Sequence, residues 1–203
     1  MSRNTYYALR HGTSLANERG IVISSPEHGV PEWGLSPAGI AACRRIFASP
    51  TWVVPPFSVA DTLVLTSDFR RARETAELLC EVQGLAPAVV DVGLRERNFG
   101  ELELDAASRY EEVWRRDGLE PNHGYAGSET TDAVAARIVA VVARLEASTQ
   151  GKRVVLVSHG DPLQILETVL SGRPSADHRQ LPHLGNAELR QLRVVQGAAG
   201  MVG

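Results

Sequence analysis

The chain has 203 residues, 43% of them hydrophobic and 22% charged, which predicts one domain spanning 1–203 with a sizeable core. Its formal net charge of -3, from 21 Lys and Arg against 24 Asp and Glu, gives no global basic field, so neither nucleic acid nor a membrane surface is an expected partner. No apolar run approaches the roughly 18 residues of a membrane span, the N-terminus lacks a charged-then-apolar leader pattern, and a cytoplasmic location is the expectation. The two cysteines, Cys43 and Cys80, lack metal-ligand spacing and read as reduced core thiols; neither a metal site nor a cofactor is expected.

Tyr6-Tyr7-Ala8-Leu9 reads as a buried first strand that delivers Arg10, His11 and Gly12 to its carboxyl end. Residues 14 to 35 are dense in turn formers and predict a long irregular loop. Ser36-Pro37 supplies an N-cap and a first-turn proline for a helix through Phe47. Thr62 to Thr66 reads as a second strand, and a helix from about Phe69 to Val82, capped by Ser67, ends near Gly84. Ala88 to Val92 reads as a third strand, and 94 to 104 as loop or short turn. Further helices are expected from about Ala106 to Arg116 and over Thr130 to Leu145. Arg153 to Val157 reads as the central strand, and Pro162 opens a helix to Leu170. Ala187 to Val195 reads as a last strand, and the tail from Gly197 is expected to fray.

Strands alternating with helices predict an α/β fold with a mainly parallel central sheet and helices on both faces. Such sheets bind ligands outside the carboxyl ends of their strands. Three strand ends carry a conspicuous set: Arg10-His11-Gly12, Ser67 to Arg73, and Ser158-His159-Gly160. Arginines, helix N-termini and glycine-exposed amides hold tetrahedral anions, so a phosphate pocket is the physical reading. A histidine there can act as a covalent nucleophile, with flanking cations stabilising the transferring phosphoryl group. The leaving oxygen then needs a proton from a carboxylic acid kept protonated near neutral pH. Glu96, after the third strand, is the first choice and Asp161 the competitor, although capping and the helix dipole explain Asp161 more simply.

Leu9-Arg10-His11-Gly12-Thr13 with Asn17 resembles the Leu-Arg-His-Gly signature of the histidine phosphatase superfamily, which includes cofactor-dependent phosphoglycerate mutases and related phosphatases. Ser67 to Ala76, Leu94 to Gly100 and Val157-Ser158-His159-Gly160 resemble further motifs of that family, in the same order. The resemblance implies a phosphoglycerate mutase-like fold, phosphorylation of His11, and binding of the phosphoryl group by Arg10, Arg71 and His159. It also implies help from Asn17 and the amide of Gly160, with Glu96 as proton donor. Arg71 is chosen over Arg70 by register with Ala72, Thr75 and Ala76. Gly185-Asn186-Ala187 resembles a late asparagine segment, and Glu129-Thr130 with Arg137 is a looser match.

The chain departs from the mutases at Ala16 and at Gly20 to Pro26, where they typically carry tryptophan and a phenylalanine-threonine-glycine-tryptophan stretch. The favoured expectation is therefore a phosphomonoesterase acting on a small phosphate ester and releasing phosphate. A phosphoglycerate mutase and a non-catalytic phospho-ligand or protein-binding module are the alternatives. Specificity is assigned to 18–34 and 101–129. His28, His123, His178 and His183 read as solvent-facing or rim residues, with His183 a candidate for the pocket mouth. Trp33 and Trp114 read mainly as cover over core or loop.

Overall fold

The computed structural model describes residues 2–120 and 122–194. Five strands, β1 (Thr5–Arg10), β2 (Thr62–Thr66), β3 (Val89–Val90), β4 (Arg153–Ser158) and β5 (Leu189–Gln191), form one sheet in the order β3-β2-β4-β1-β5. The first four are mutually parallel, and β5 runs antiparallel to β1. Among the described residues seven α-helices accompany them: α1 (Leu15–Arg19), α2 (Pro26–Gly29), α3 (Pro37–Phe47), α4 (Arg70–Gln83), α5 (Tyr110–Asp117), α6 (Thr131–Ser148) and α7 (Gly160–Leu170). No helix among the described residues is long and apolar enough to cross a membrane.

The period-2 alternation of the strands sends neighbours to opposite faces. Tyr6, Ala8, Val154 and Leu156 pack with Ile138 and Val141 of α6 and Leu163 and Leu166 of α7. Leu9, Val64, Val155 and Val157 pack with Cys43 and Phe47 of α3 and with Ala76 and Leu79 of α4. Both faces are thus covered, and each fully buried Val, Leu or Ile contributes ~1.5–3 kcal/mol. Cys43 and Cys80 are buried free thiols within the second of these clusters.

The register aligns Arg10 with Ser158 and Thr66 with Val157, so β1, β2 and β4 end level on one edge of the sheet. His11, Ser67 and His159 each follow one of those ends.

Several boundaries differ from the sequence reading. The segment 14–35 contains α1 and α2, each opened by a serine: Ser14 accepts from the Asn17 N–H and Ser25 from the Glu27 N–H. The segment expected as one helix from Ala106 begins as a 3-10 turn over Ala107–Arg109, and α5 follows it. The expected strand 88–92 shortens to Val89–Val90, because the Asp91 side chain accepts from the Gly93 N–H and starts a 3-10 turn. Phe69, not Ser67, is the N-cap of α4, and it makes no side-chain cap bond; the Ser67 hydroxyl, two residues earlier, accepts from the Phe69 N–H. The last strand contracts to Leu189–Gln191; Val195 and the tail from Gly197 lie outside the described residues.

A third apolar cluster, Val22, Phe99, Leu102 and Val113, sits apart from the sheet. Val22 N–H donates to Asp105 O, Leu104 N–H donates to Val22 O, and Ile21 bridges to Ala106. These bonds join the 20–25 segment to the 99–106 segment, with α5 beside them.

Candidate active site

His11 is held by its backbone before its side chain does anything. Its N–H donates to Ser158 O at 3.0 Å, and its carbonyl accepts from Asn186 Nδ2 at 3.0 Å. The next residue must be glycine: a Cβ at Gly12 would run into the Sγ of Cys43 and lie 3.2 Å from Leu35 Cδ2. The Gly12 N–H donates to Thr75 Oγ1, whose hydroxyl donates to Arg71 O, so the loop carrying His11 is tied to the first turn of α4.

His11 is 2% exposed. Its Nδ1 lies 2.8 Å from Gly12 O, and since a carbonyl only accepts, Nδ1 carries the proton and Nε2 the lone pair. Burial, then the charges of Arg71 and Arg10, hold the imidazole well below its ordinary range, so it is neutral at physiological pH. Arg71 Nε donates to that Nε2 at 3.1 Å, and Arg71 Nη2 donates to Ile23 O at 3.0 Å.

His159 lies beside His11, ring centroids 5.2 Å apart. Its Nε2 is 2.9 Å from Ser67 Oγ, and that hydroxyl, already accepting from Phe69 N–H, has its own proton to give. Ser67 Oγ has no other acceptor for that proton among the described residues, so it donates to Nε2, and the imidazole proton sits on Nδ1, a buried donor with no partner among those residues. Arg10 Nε and Arg71 Nη1 are likewise buried without partners. Arg10 Nη1 is anchored by Leu184 O at 2.8 Å and lies 2.9 Å from His183 Nε2. Gly160 opens α7 behind the guanidinium of Arg10, bringing a helix N-terminus to the same place. Asn17 spends its carbonyl oxygen on Ser14 N–H and Oγ, which leaves its Nδ2 as the donor available to the cavity. Arg70 and Arg73 point away, to Glu74 Oε1 and Val30 O.

Arg10, His11, Asn17, Arg71 and Gly160 line a cavity of about 290 Å³, walled on its apolar side by Ile21, Ile23, Phe99 and Tyr110, with His159 beside His11 at its edge. Glu96 lines it with a side chain 10% exposed. Its Oε1 accepts from Arg97 N–H at 3.0 Å, and its Oε2 is 3.8 Å from Arg71 Nη2 and 3.9 Å from His159 Nδ1. Neither Arg95 nor Arg97 pairs with it, since Arg95 binds Asp68 and Arg97 binds Asp117. Burial and the charge of Asp161 push the Glu96 carboxyl up to about 7 against the pull of Arg71. A carboxylic acid, a neutral imidazole whose Nε2 carries the lone pair and several unpaired N–H donors around one cavity form an arrangement suited to phosphoryl transfer.

Behind the site lies a buried charged cluster. Arg97 is fully buried, its Nη1 and Nη2 on Asp117 at 2.7 and 2.8 Å. His178 is fully buried and His123 nearly so, the latter 2.8 Å from Asp117 Oδ1, so the expectation of solvent-facing histidines fails for both. His28 is half-buried against Glu103, and His183 lines the cavity mouth. Trp114 also lines the cavity, stacked between Tyr110 and the guanidinium of Arg179.

The chain belongs to the histidine phosphatase superfamily (branch 1), whose pattern matches residues 6–202. Among curated relatives, a probable phosphoglycerate mutase GpmB of Photorhabdus laumondii is 30% identical over 191 residues, covering 92% of this chain and 83% of that protein. One of the same name from Erwinia tasmaniensis is 30% identical over 181 residues, covering 86% and 78%. Among solved structures, a mycobacterial glucosyl-3-phosphoglycerate phosphatase in complex with VO3 superposes with a TM-score of 0.71 at 29% identity, covering 92% of this chain and 91% of that one. A putative alpha-ribazole-5'-P phosphatase from Escherichia coli superposes with a TM-score of 0.70 at 22% identity, covering 96% and 98%, a likeness of fold.

Proposed function

We propose that the protein is a phosphomonoesterase that hydrolyses a small phosphate ester through a phosphohistidine on His11. The observation that carries this reading is the set of buried donors without partners among the described residues, Arg10 Nε, Arg71 Nη1 and His159 Nδ1, on side chains that line or adjoin the cavity faced by a neutral His11. Donors fixed in place before the substrate arrives stabilise charge on a transferring phosphoryl group without reorganising.

In the first step His11 Nε2 forms a bond to phosphorus while the bond from phosphorus to the ester oxygen breaks. The electron pair leaves on that oxygen, which takes the proton of Glu96. Arg71 shifts its hydrogen bond from Nε2 to a phosphoryl oxygen, alongside Arg10, His159, Asn17 and the Gly160 N–H. In the second step the Glu96 carboxylate removes a proton from water, and the water oxygen attacks phosphorus. The N–P bond breaks, its electron pair returns to Nε2, and phosphate, neutral His11 and protonated Glu96 result.

Replacing His11 with Ala tests the reading: hydrolysis of a generic phosphate ester falls to background while the fold is kept, and turnover at the wild-type rate refutes it. A second reading, a phosphoglycerate mutase, is favoured by the names of the curated relatives. It differs in where the phosphoryl group goes, since a mutase returns it to a second hydroxyl. Interconversion of phosphoglycerates primed by the bisphosphate, faster than hydrolysis, would select it.

A further inference from the structure

We propose that Asp161 is a positioning residue whose buried carboxylate keeps the proton on Glu96 between turnovers, a role that rests on the reading of Glu96 as proton donor. Asp161 is the second residue of α7, next to Gly160, 4% exposed, and it lines the same cavity as Glu96. A first-turn aspartate usually faces free backbone amides, but this one is turned to side chains. Both its oxygens accept from Trp114 Nε1, at 3.1 and 3.0 Å, and Oδ2 accepts from Arg97 Nη1 at 3.4 Å.

The lengths of those bonds decide where the negative charge stays. Arg97 grips Asp117 with two bonds, at 2.7 and 2.8 Å, and offers Asp161 only the longer one. Asp117 also has His123 Nε2 at 2.8 Å, whereas His178 Nε2 stands 3.8 Å from Asp161 and 3.9 Å from Asp117. Among the described residues Arg97 is the one permanent cation bonded to these two carboxylates, and because Asp117 holds it with the two shorter bonds, Asp161 keeps its negative charge at the cavity wall.

Glu96 is then the second carboxyl on that cavity, and two like charges in a partly dry site do not both ionise cheaply. The contest is uneven. Asp161 has Trp114 Nε1 and a guanidinium, while Glu96 has one backbone N–H and two cationic-capable groups no nearer than 3.8 Å. Other groups acting on Glu96 are Arg10 and Tyr110, with Arg137 bonded to its carbonyl; Arg179 and Arg10 act on Asp161. Burial alone would raise the Asp161 carboxyl, but His178, Arg97 and the Trp114 N–H hold it below the ordinary range, and its charge is one of the causes that push Glu96 up.

The test reads Glu96 directly and without activity. The full chain is labelled with carboxyl-13C glutamate, the Glu96 signal is assigned by its loss in Glu96→Gln, and its midpoint is followed in Asp161→Asn. A unit charge as far as about 12 Å away at an effective dielectric constant of about 20 is worth about one pH unit. The midpoint should therefore fall by about one unit or more, and the alkaline limb of kcat/KM should move down with it, about a tenfold loss at pH 8. Asp161→Glu should retain the wild-type midpoint, and Trp114→Phe, which drops a hydrogen bond but not the charge, should leave it nearly unmoved. Asp161→Ser serves as a second neutral variant should the asparagine fold poorly against Arg97. An unchanged Glu96 midpoint in a folded neutral variant overturns the proposal even if Glu96→Gln is inactive. A shifted midpoint with full activity in Glu96→Gln supports the electrostatic link and instead removes Glu96 as donor.

Discussion

Replacing Glu96 with Gln separates a catalytic acid from a structural carboxyl, because the two roles predict opposite effects on stability. The carboxyl moves from an ordinary 4.5 to about 7 in the folded chain. The native state therefore holds an extra proton between those values, and stability falls as pH rises through that window. At about 1.4 kcal/mol per unit the full displacement is ~3 kcal/mol, present above about pH 7, where a buried carboxylate must be carried ionised. Glutamine has the same shape and no charge, so Glu96→Gln should be more stable than wild type by up to ~3 kcal/mol at pH 9 and nearly equal at pH 5. The same change removes the proton donor, for which a loss of about 10²- to 10⁴-fold in kcat/KM is the ordinary scale. That loss should be large for an alkyl phosphate and much smaller for a nitrophenyl phosphate, whose leaving group departs as an anion. In wild type, kcat/KM on the alkyl ester should fall tenfold per pH unit above the Glu96 midpoint. Urea titrations at pH 5 and 9 and stopped assays with both esters supply the four numbers. A destabilised variant at pH 9, or equal losses on the two esters, would refute the assignment.

Three further outcomes follow from the same geometry. Gly12→Ala drives its Cβ into Cys43 Sγ and should lower stability by about 1–3 kcal/mol, as overpacking does; adding Cys43→Ala should recover most of it, and denaturant midpoints of the single and double variants check the coupling. Arg97→Ala leaves the Asp117 and Asp161 carboxylates buried without their guanidinium, a loss of about 3–5 kcal/mol that thermal melts should show at neutral pH. His11 and His159 are held below their ordinary range, so the unfolded chain binds more protons than the native one below about pH 6.5. Stability should therefore decline as pH falls through that point, and the decline should be shallower in His159→Gln, as chemical denaturation from pH 7 to 5 would record.

The sheet and its main helices were legible because their signals are local: apolar runs for β1, β2 and β4, Ser36-Pro37 for α3, and Gly84 in the left-handed conformation for the end of α4. The strand ends could be compared as candidate anion sites for the same reason, since a parallel sheet brings its carboxyl ends together. Short elements escaped. The five residues of α1 are too few to show a period, and its capping box uses Asn17 where glutamate or glutamine would have been the recognisable partner. The buried cluster escaped for a different reason. Arg97 stands amid charged neighbours, and its partners lie 20 and 64 residues away, so nothing short of the fold reveals that it is buried. The same holds for His178, and for Trp114, whose contact with Asp161 spans 47 residues.

The central claim, that His11 Nε2 carries the phosphoryl group, is tested most directly by rapid quench with a phosphate ester labelled on phosphorus. Glu96→Gln with the nitrophenyl ester is the form to use, since bond cleavage proceeds without the acid while attack by water lacks its base. Label should appear on the protein in a burst approaching one equivalent, be lost in acid and kept in alkali, map to the peptide containing His11, and be absent from His11→Ala. Turnover without bound label, or label on any other residue, would contradict the account.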